Sequence, residues 1–102
     1  MALTDKTGAP VTVTKESDKF TVSVDGKAVG LTAYADEGHS RVFPHTEVDD
    51  AYEGRGLATI VIGEALAQTR AEGLRVVPMC PTVAAYVERH PEYADIVDRP
   101  GR

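Results

Sequence analysis

One stretch constrains this chain more than any other. It runs from Asp49 and Asp50 through Glu53-Gly54-Arg55-Gly56 into a helical run that ends near Glu72. From Leu57 onward, apolar residues recur at helical spacing: Leu57, Val61 and Ala65, flanked by Ala58, Ile62 and Leu66. Glu64, Gln68 and Glu72 fall on the opposite side, so the segment reads as an amphipathic helix packed on a sheet. Gly73 supplies its C-terminal stop. A strand that gives way to a glycine loop and then a helix gathers backbone N–H groups at the positive end of the helix dipole. Glycine there lets a ligand approach the main chain closely. That chemistry suits a phosphate or pyrophosphate. The same residues also read as a plain tight turn, with Asp49, Asp50 and Glu53 as acids ahead of a helix.

The residues before this loop read as antiparallel strands. Val11 and Val13 alternate with threonines, and Phe20, Val22 and Val24 alternate with Thr21 and Ser23, the pattern of half-buried strands. Glu16-Ser17-Asp18 separates the two runs as a turn. Asp25-Gly26 sits where a tight hairpin needs positive φ. Lys27 to Ala35 gives a third strand, with Val29, Leu31 and Ala33 expected on one face. Asp36-Glu37-Gly38-His39 is a polar turn, and Ser40 to Val48 a fourth strand. Pro44 interrupts that strand and belongs at an edge, a bulge or a splayed position. A strand parted from its neighbour leaves backbone groups that an extended ligand can pair with. An ordinary edge strand would carry the same residue.

Beyond the helix, Leu74 to Cys80 reads as a short buried strand joined to the fourth by a right-handed parallel crossover. Pro81 suits the first turn of a second helix, Thr82 to Arg89, which ends at His90-Pro91. Gly63 weakens the first helix by about 1 kcal/mol relative to alanine, a cost that close packing would explain. The expected organisation is a flexible N-terminus over residues 1–9, one domain over 10–97 and a flexible tail over 98–102. The fold class is mixed α/β (α+β).

Composition narrows the function classes. The 102 residues carry 42% hydrophobic and 26% charged side chains, the balance of one globular domain. A formal charge of -5 disfavours nucleic acid, and no apolar run reaches the length of a membrane span. An acidic surface draws in a cationic partner such as an amine, or simply keeps the protein soluble. The single cysteine, Cys80, fits a reducing, cytoplasmic setting. His39, His45 and His90 have no metal-ligand spacing with Cys80, so no metal is expected.

Four segments together resemble a known family: His45-Thr46-Glu47-Val48, Glu53 to Ala58, Val76 to Pro81 and Tyr86 to Tyr93. The chain resembles the GNAT (Gcn5-related N-acetyltransferase) superfamily, in particular its minimal single-domain members. The resemblance implies a GNAT-like fold and acetyl-coenzyme A as co-substrate. It implies that the backbone of Thr46, Glu47 and Val48 pairs with the pantetheine arm. The loop of Gly54, Arg55, Gly56, Leu57, Ala58 and Thr59 would hold the pyrophosphate. The family's Arg/Gln-x-x-Gly-x-Gly/Ala loop falls on Glu53, Gly56 and Ala58. Glu53 departs from the usual basic or amide residue and sets an acid near a dianion, which Arg55 would offset, or else Arg55 is a solvated surface arginine. The two helices that shape the acceptor pocket in larger members are absent, since Val24 to Lys27 leaves room only for a hairpin.

Acetyl transfer to an amine requires a base, stabilisation of the carbonyl oxygen and a proton for the departing thiolate. Glu47 and His45 share one face of the fourth strand and are candidate bases, or else a surface hydrogen-bonding residue and a packed polar one respectively. Cys80 ends the fifth strand, where an α/β sheet usually places its site. It is a candidate proton donor or acyl acceptor, or else an inert buried thiol. Tyr86 is the family-implied general acid, but the family spacing counted from Cys80 falls on Val87. The acceptor would be an amine-bearing small molecule or a protein lysine or N-terminus, and the protein a monomer or weak dimer. A non-catalytic acyl-coenzyme A sensing module and a plain interaction domain remain alternatives.

Overall fold

The computed structural model describes residues 3–98. Six strands form one sheet in sequence order: β1 Leu3–Thr4, β2 Pro10–Lys15, β3 Lys19–Val24, β4 Lys27–Glu37, β5 Ser40–Val48 and β6 Arg75–Val77. The first five pair antiparallel, and β6 runs parallel to β5. Helix α1, Leu57–Ala71, makes the crossover from β5 to β6. Helix α2, Pro81–Arg89, follows with Pro81 in its first turn, and a 3-10 segment, Pro91–Ile96, closes the described chain. None of the helices among the described residues is long and apolar enough to cross a membrane.

Alternation decides which face is buried. Val11 on β2 and Phe20, Val22 and Val24 on β3 all point to the side covered by α1. From α1 the covering residues are Leu57, Val61, Ile62, Ala65 and Leu66. The other face of the sheet carries Thr12, Thr21, Ser23, Leu31 and Ala33, residues that are half-buried or exposed. Asp25 and Gly26 turn the β3–β4 hairpin with φ of 51° and 83°, as their sequence anticipates. Gly63 lies against α2, where an added Cβ would stand 2.9 Å from the Tyr86 hydroxyl. Close packing therefore accounts for a glycine inside a helix.

Two bulges correct the expected faces. On β4, Val22 pairs with Gly30 but Ser23 pairs with Ala28, so Val29 is an extra residue. A bulge of one residue inverts the alternation that follows it. Hence Val29, Thr32 and Tyr34 are buried, and Val29, Leu31 and Ala33 do not share one face. On β5, Ala35 pairs with Val42 and Ala33 with His45, so Phe43 and Pro44 together oppose Tyr34. Before this bulge Arg41 and Phe43 point into the core. After it Thr46 and Val48 turn toward the helices, and His45 and Glu47 toward the open face.

Both ends of the described chain pair with the rest of the fold. Leu3 and Thr4 pair with Val11 and Pro10, and the Asp5 carboxylate behind them is fully shielded from solvent. The segment is polar in sequence, but its buried acid has backbone partners, which removes the penalty for burial. At the other end, Asp98 donates its amide to the Val76 carbonyl (2.7 Å) and its carboxylate clasps Arg75. Residues 1–2 and 99–102 lie outside the described residues.

Candidate functional site

The sheet splits at one point. β5 pairs with β6 only over Ser40–Val42, and the last bond across the gap runs from the Cys80 amide to the Phe43 carbonyl (2.8 Å). The chain then turns into α2 at Pro81, so none of the described residues continues the ladder beside the second half of β5. The backbone edge of Thr46, Glu47 and Val48 lines an open cleft of about 610 Å³. Tyr52, Glu53, Gly54, Gly56, Leu57, Ala58 and Thr59 form its other wall, and Thr82 closes one side.

The loop between β5 and α1 is shaped by two glycines with φ of 81° at Gly54 and 79° at Gly56. These are left-handed conformations that side chains resist. Gly56 is also the N-cap of α1, and it offers no side-chain cap. The amides of Leu57, Ala58 and Thr59 thus lie in a first turn that lacks intrahelical acceptors. They face a cleft whose wall at Gly54 has no protein atom within 4 Å of a would-be Cβ. Such a wall fits an anionic group pressed against main chain. Glu53, in the same lining, opposes it.

The proposed site residues separate into three groups. Thr46, Glu47, Val48, Gly54, Gly56, Leu57, Ala58 and Thr59 meet around the cleft. His45 and Cys80 stand beside it. His45 Nε2 lies 2.8 Å from a Glu47 carboxylate oxygen on the open face, and both side chains are about 60% exposed, at 60% and 61%. Cys80 is buried at the fork, its Sγ 3.5 Å from Thr46 Oγ1, which in turn lies 2.9 Å from Thr32 Oγ1. Burial pushes the Cys80 thiol up, but its hydrogen bond with Thr46, then those from the amides of Val83 and Thr82 and from the Thr82 hydroxyl, outweigh it. The net result is a thiol more acidic than usual.

Arg55 and Tyr86 point elsewhere. Arg55 reaches back to Asp5 (3.4 Å) and lies over the Tyr52 ring at 4.7 Å. Tyr86 stacks on His90 with ring centroids 3.9 Å apart, and it is not among the residues around the cleft. Burial, then the charges of Tyr93, Glu92 and Glu64, push its hydroxyl pKa up. Sequence reasoning passed over Tyr52 and Thr82. Tyr52 precedes the loop it flanks, and Thr82 occupies the first turn after Pro81, positions that the loop pattern itself marks as neighbours.

A mainly antiparallel sheet, split beside a parallel strand, with a glycine loop and a helix N-terminus walling the split, defines an acyl-transferase type of domain. The family model for GCN5-related N-acetyl-transferases matches residues 19–96. The chain belongs to that family and is a transferase by fold and descent. No protein among the curated sequences matches it. Among solved structures, a GCN5-like N-acetyltransferase candidate from Staphylococcus aureus superposes with a TM-score of 0.68 at 18% identity. The match covers 86% of this chain and 88% of that one. An N-acetyltransferase from Staphylococcus aureus Mu50 gives 0.54 at 16% identity, over 84% of this chain and 52% of that one. An aminoglycoside acetyltransferase from an uncultured soil metagenomic sample, solved with sisomicin, gives 0.51 at 15% identity over 76% and 57%. Members of the family generally draw the acetyl group from acetyl-coenzyme A.

Proposed function

We propose that this protein transfers an acetyl group from acetyl-coenzyme A to a primary amine by direct attack within a ternary complex. The observation that carries the reading is the cleft itself. A free strand edge, Thr46 to Val48, faces an uncapped helix start behind Gly54 and Gly56. The strand edge suits the amide-bearing arm of the co-substrate, and the loop amides suit its pyrophosphate. Bound there, acetyl-coenzyme A supplies a thioester carbonyl for the amine to attack.

The chain's own residues then manage protons. An alkylammonium near ~10.4 must lose a proton before it can attack. The Glu47 carboxylate, paired with His45 Nε2 and open to solvent, is positioned to take that proton directly or through water. Cys80 sits at the base of the fork, and the hydrogen bonds that favour its thiolate make the thiol a readier proton donor to the departing sulfur. The net charge of -5 favours a cationic acceptor. The acceptor class is an amine-bearing small molecule or a protein lysine or N-terminus.

Titration with coenzyme A, followed by incubation of labelled acetyl-coenzyme A with a panel of amines, tests the reading. Coenzyme A that binds without any acetyl transfer would leave a sensing module in its place. Glu47→Gln is expected to lower turnover about tenfold, because His45 remains as a partial substitute, while coenzyme A affinity stays within error. Unchanged turnover would remove Glu47 from the reaction. Cys80→Ser is expected to slow the chemical step severalfold, since a hydroxyl is the poorer acid. If that variant turns over like the parent across pH 6 to 9, Cys80 is only packing.

A further inference from the structure

Lys6 occupies a place that the fold alone does not require. The turn between β1 and β2 is tied by the Asp5 carboxylate, which accepts hydrogen bonds from the Thr7 amide (2.8 Å), the Thr7 hydroxyl (2.6 Å) and the Ala9 amide (3.0 Å). This knot docks on the cleft loop, where the Lys6 amide donates to the Arg55 carbonyl at 3.0 Å. Arg55 answers from its own side with a contact to Asp5 at 3.4 Å.

The Lys6 side chain then runs across Gly56. Its Cγ, Cδ and Cε lie 3.6, 3.8 and 3.3 Å from where a Gly56 Cβ would stand. Gly56 lines the cleft, and the Lys6 stem covers it from outside the lining residues, with the ammonium one bond beyond Cε. Three cations surround this loop. Arg55 is engaged by Asp5 and the Tyr52 ring, and Lys27 sits 5.7 Å from the centroid of that ring. Lys6 is exposed and has no carboxylate within ion-pair distance among the described residues. The loop and its approach otherwise carry Asp49, Asp50 and Glu53, acids that repel a pyrophosphate.

We propose that Lys6, held over Gly56 by the Asp5 turn, binds the phosphates of the co-substrate. The proposal rests on the coenzyme A reading above and assigns a ligand contact to a segment outside the residues matched by the family model. An ammonium beside a pyrophosphate makes charge-assisted hydrogen bonds whose strength falls with salt.

Calorimetric titration of the full chain with coenzyme A, at about 20 mM and about 1 M salt, tests it, because the Debye length shrinks from tens of ångströms to ~3 Å over that range. Lys6→Met keeps the methylenes over Gly56 and removes only the charge. It is expected to weaken coenzyme A about fivefold in low salt and not at all in high salt. Lys6→Arg should bind like the parent. Lys19→Met, which removes a charge paired with Glu16 and Asp18 at the start of β3, should also bind like the parent. Equal binding by Lys6→Met and the parent in low salt would overturn the proposal, as would an equal loss in Lys19→Met. A parent that takes up no coenzyme A at either salt would instead overturn the reading on which the proposal rests.

Discussion

Gly30→Val is expected to destabilise the protein by about 4 kcal/mol, enough to lower its melting temperature by roughly 15–30 °C. Gly30 lies opposite Val48 in the β4–β5 ladder, immediately after the Val29 bulge. A Cβ there would stand 2.8 Å from the Glu47 carbonyl oxygen, 3.0 Å from Val22 Cγ1 and 3.1 Å from Val48 Cγ2. The first of these is backbone and cannot rotate away. The strain is therefore relieved only by moving the end of β5, the same edge that lines the cleft. Thermal melts monitored by circular dichroism should show the loss. Coenzyme A titration below the transition should show weaker binding by the folded fraction. A melt within a few degrees of the parent would mean that the two strands approach less closely than described.

Arg41→Met should be nearly as costly, at about 3 kcal/mol. The Arg41 side chain is 1% exposed, and its guanidinium bridges Asp36 (2.7 and 3.0 Å) and Glu72 (3.0 and 3.1 Å). Its Cζ also lies 4.6 Å from the centroid of the Tyr34 ring. It thereby joins the β4–β5 hairpin to the residue that ends α1. Removing it takes the guanidinium from Asp36 and leaves Glu72 with Lys15 (3.1 Å) and Gln68 (3.1 Å), and both carboxylates remain open enough to solvent to recover part of their hydration. The effect has a pH signature. The hydrogen bond from Arg41 holds the Glu72 carboxyl down at about 2, from 4.5, and Asp36 is lowered first by its own hydrogen bond to Arg41. A folded pKa below the unfolded one means that the stabilisation is full above about 4.5 and is lost as pH falls through about 2. Parent and variant melting temperatures should thus differ most at neutral pH and converge in acid. A constant gap from pH 7 to 2 would show that Arg41 acts by packing alone.

The elements were legible where local chemistry decides them. Apolar spacing from Leu57 to Leu66 marks α1, Gly73 ends it with φ of 74°, and Pro81 opens α2. The glycine loop was legible for the same reason, since Gly54 and Gly56 must take conformations that other residues avoid. The faces of β4 were not. A bulge is one unpaired residue in an alternating pattern, and Val29 looks like its neighbours until Ser23 is seen opposite Ala28. Arg41 was hidden because its burial depends on Asp36 and Glu72, one nearby on the adjoining strand and the other at the far end of a helix. Lys6 was hidden for a kindred reason: its contact with Gly56 joins positions fifty residues apart through a two-residue strand. Among the candidate site residues, the strand edge and the loop were proposed from the family resemblance and local pattern. The turning of Arg55 toward Asp5 required tertiary structure.

Because α2 begins directly after Cys80, the gap beside Thr46 to Val48 is created by chain geometry and not by a hinge held ajar. An occupant displaces only water there and breaks no pairing within the protein, so little of its adhesion is spent on rearrangement. For the proposed co-substrate, arrival and departure would then be governed by solvation and charge at the mouth, with no part of the protein to unlatch between a spent carrier and a fresh one.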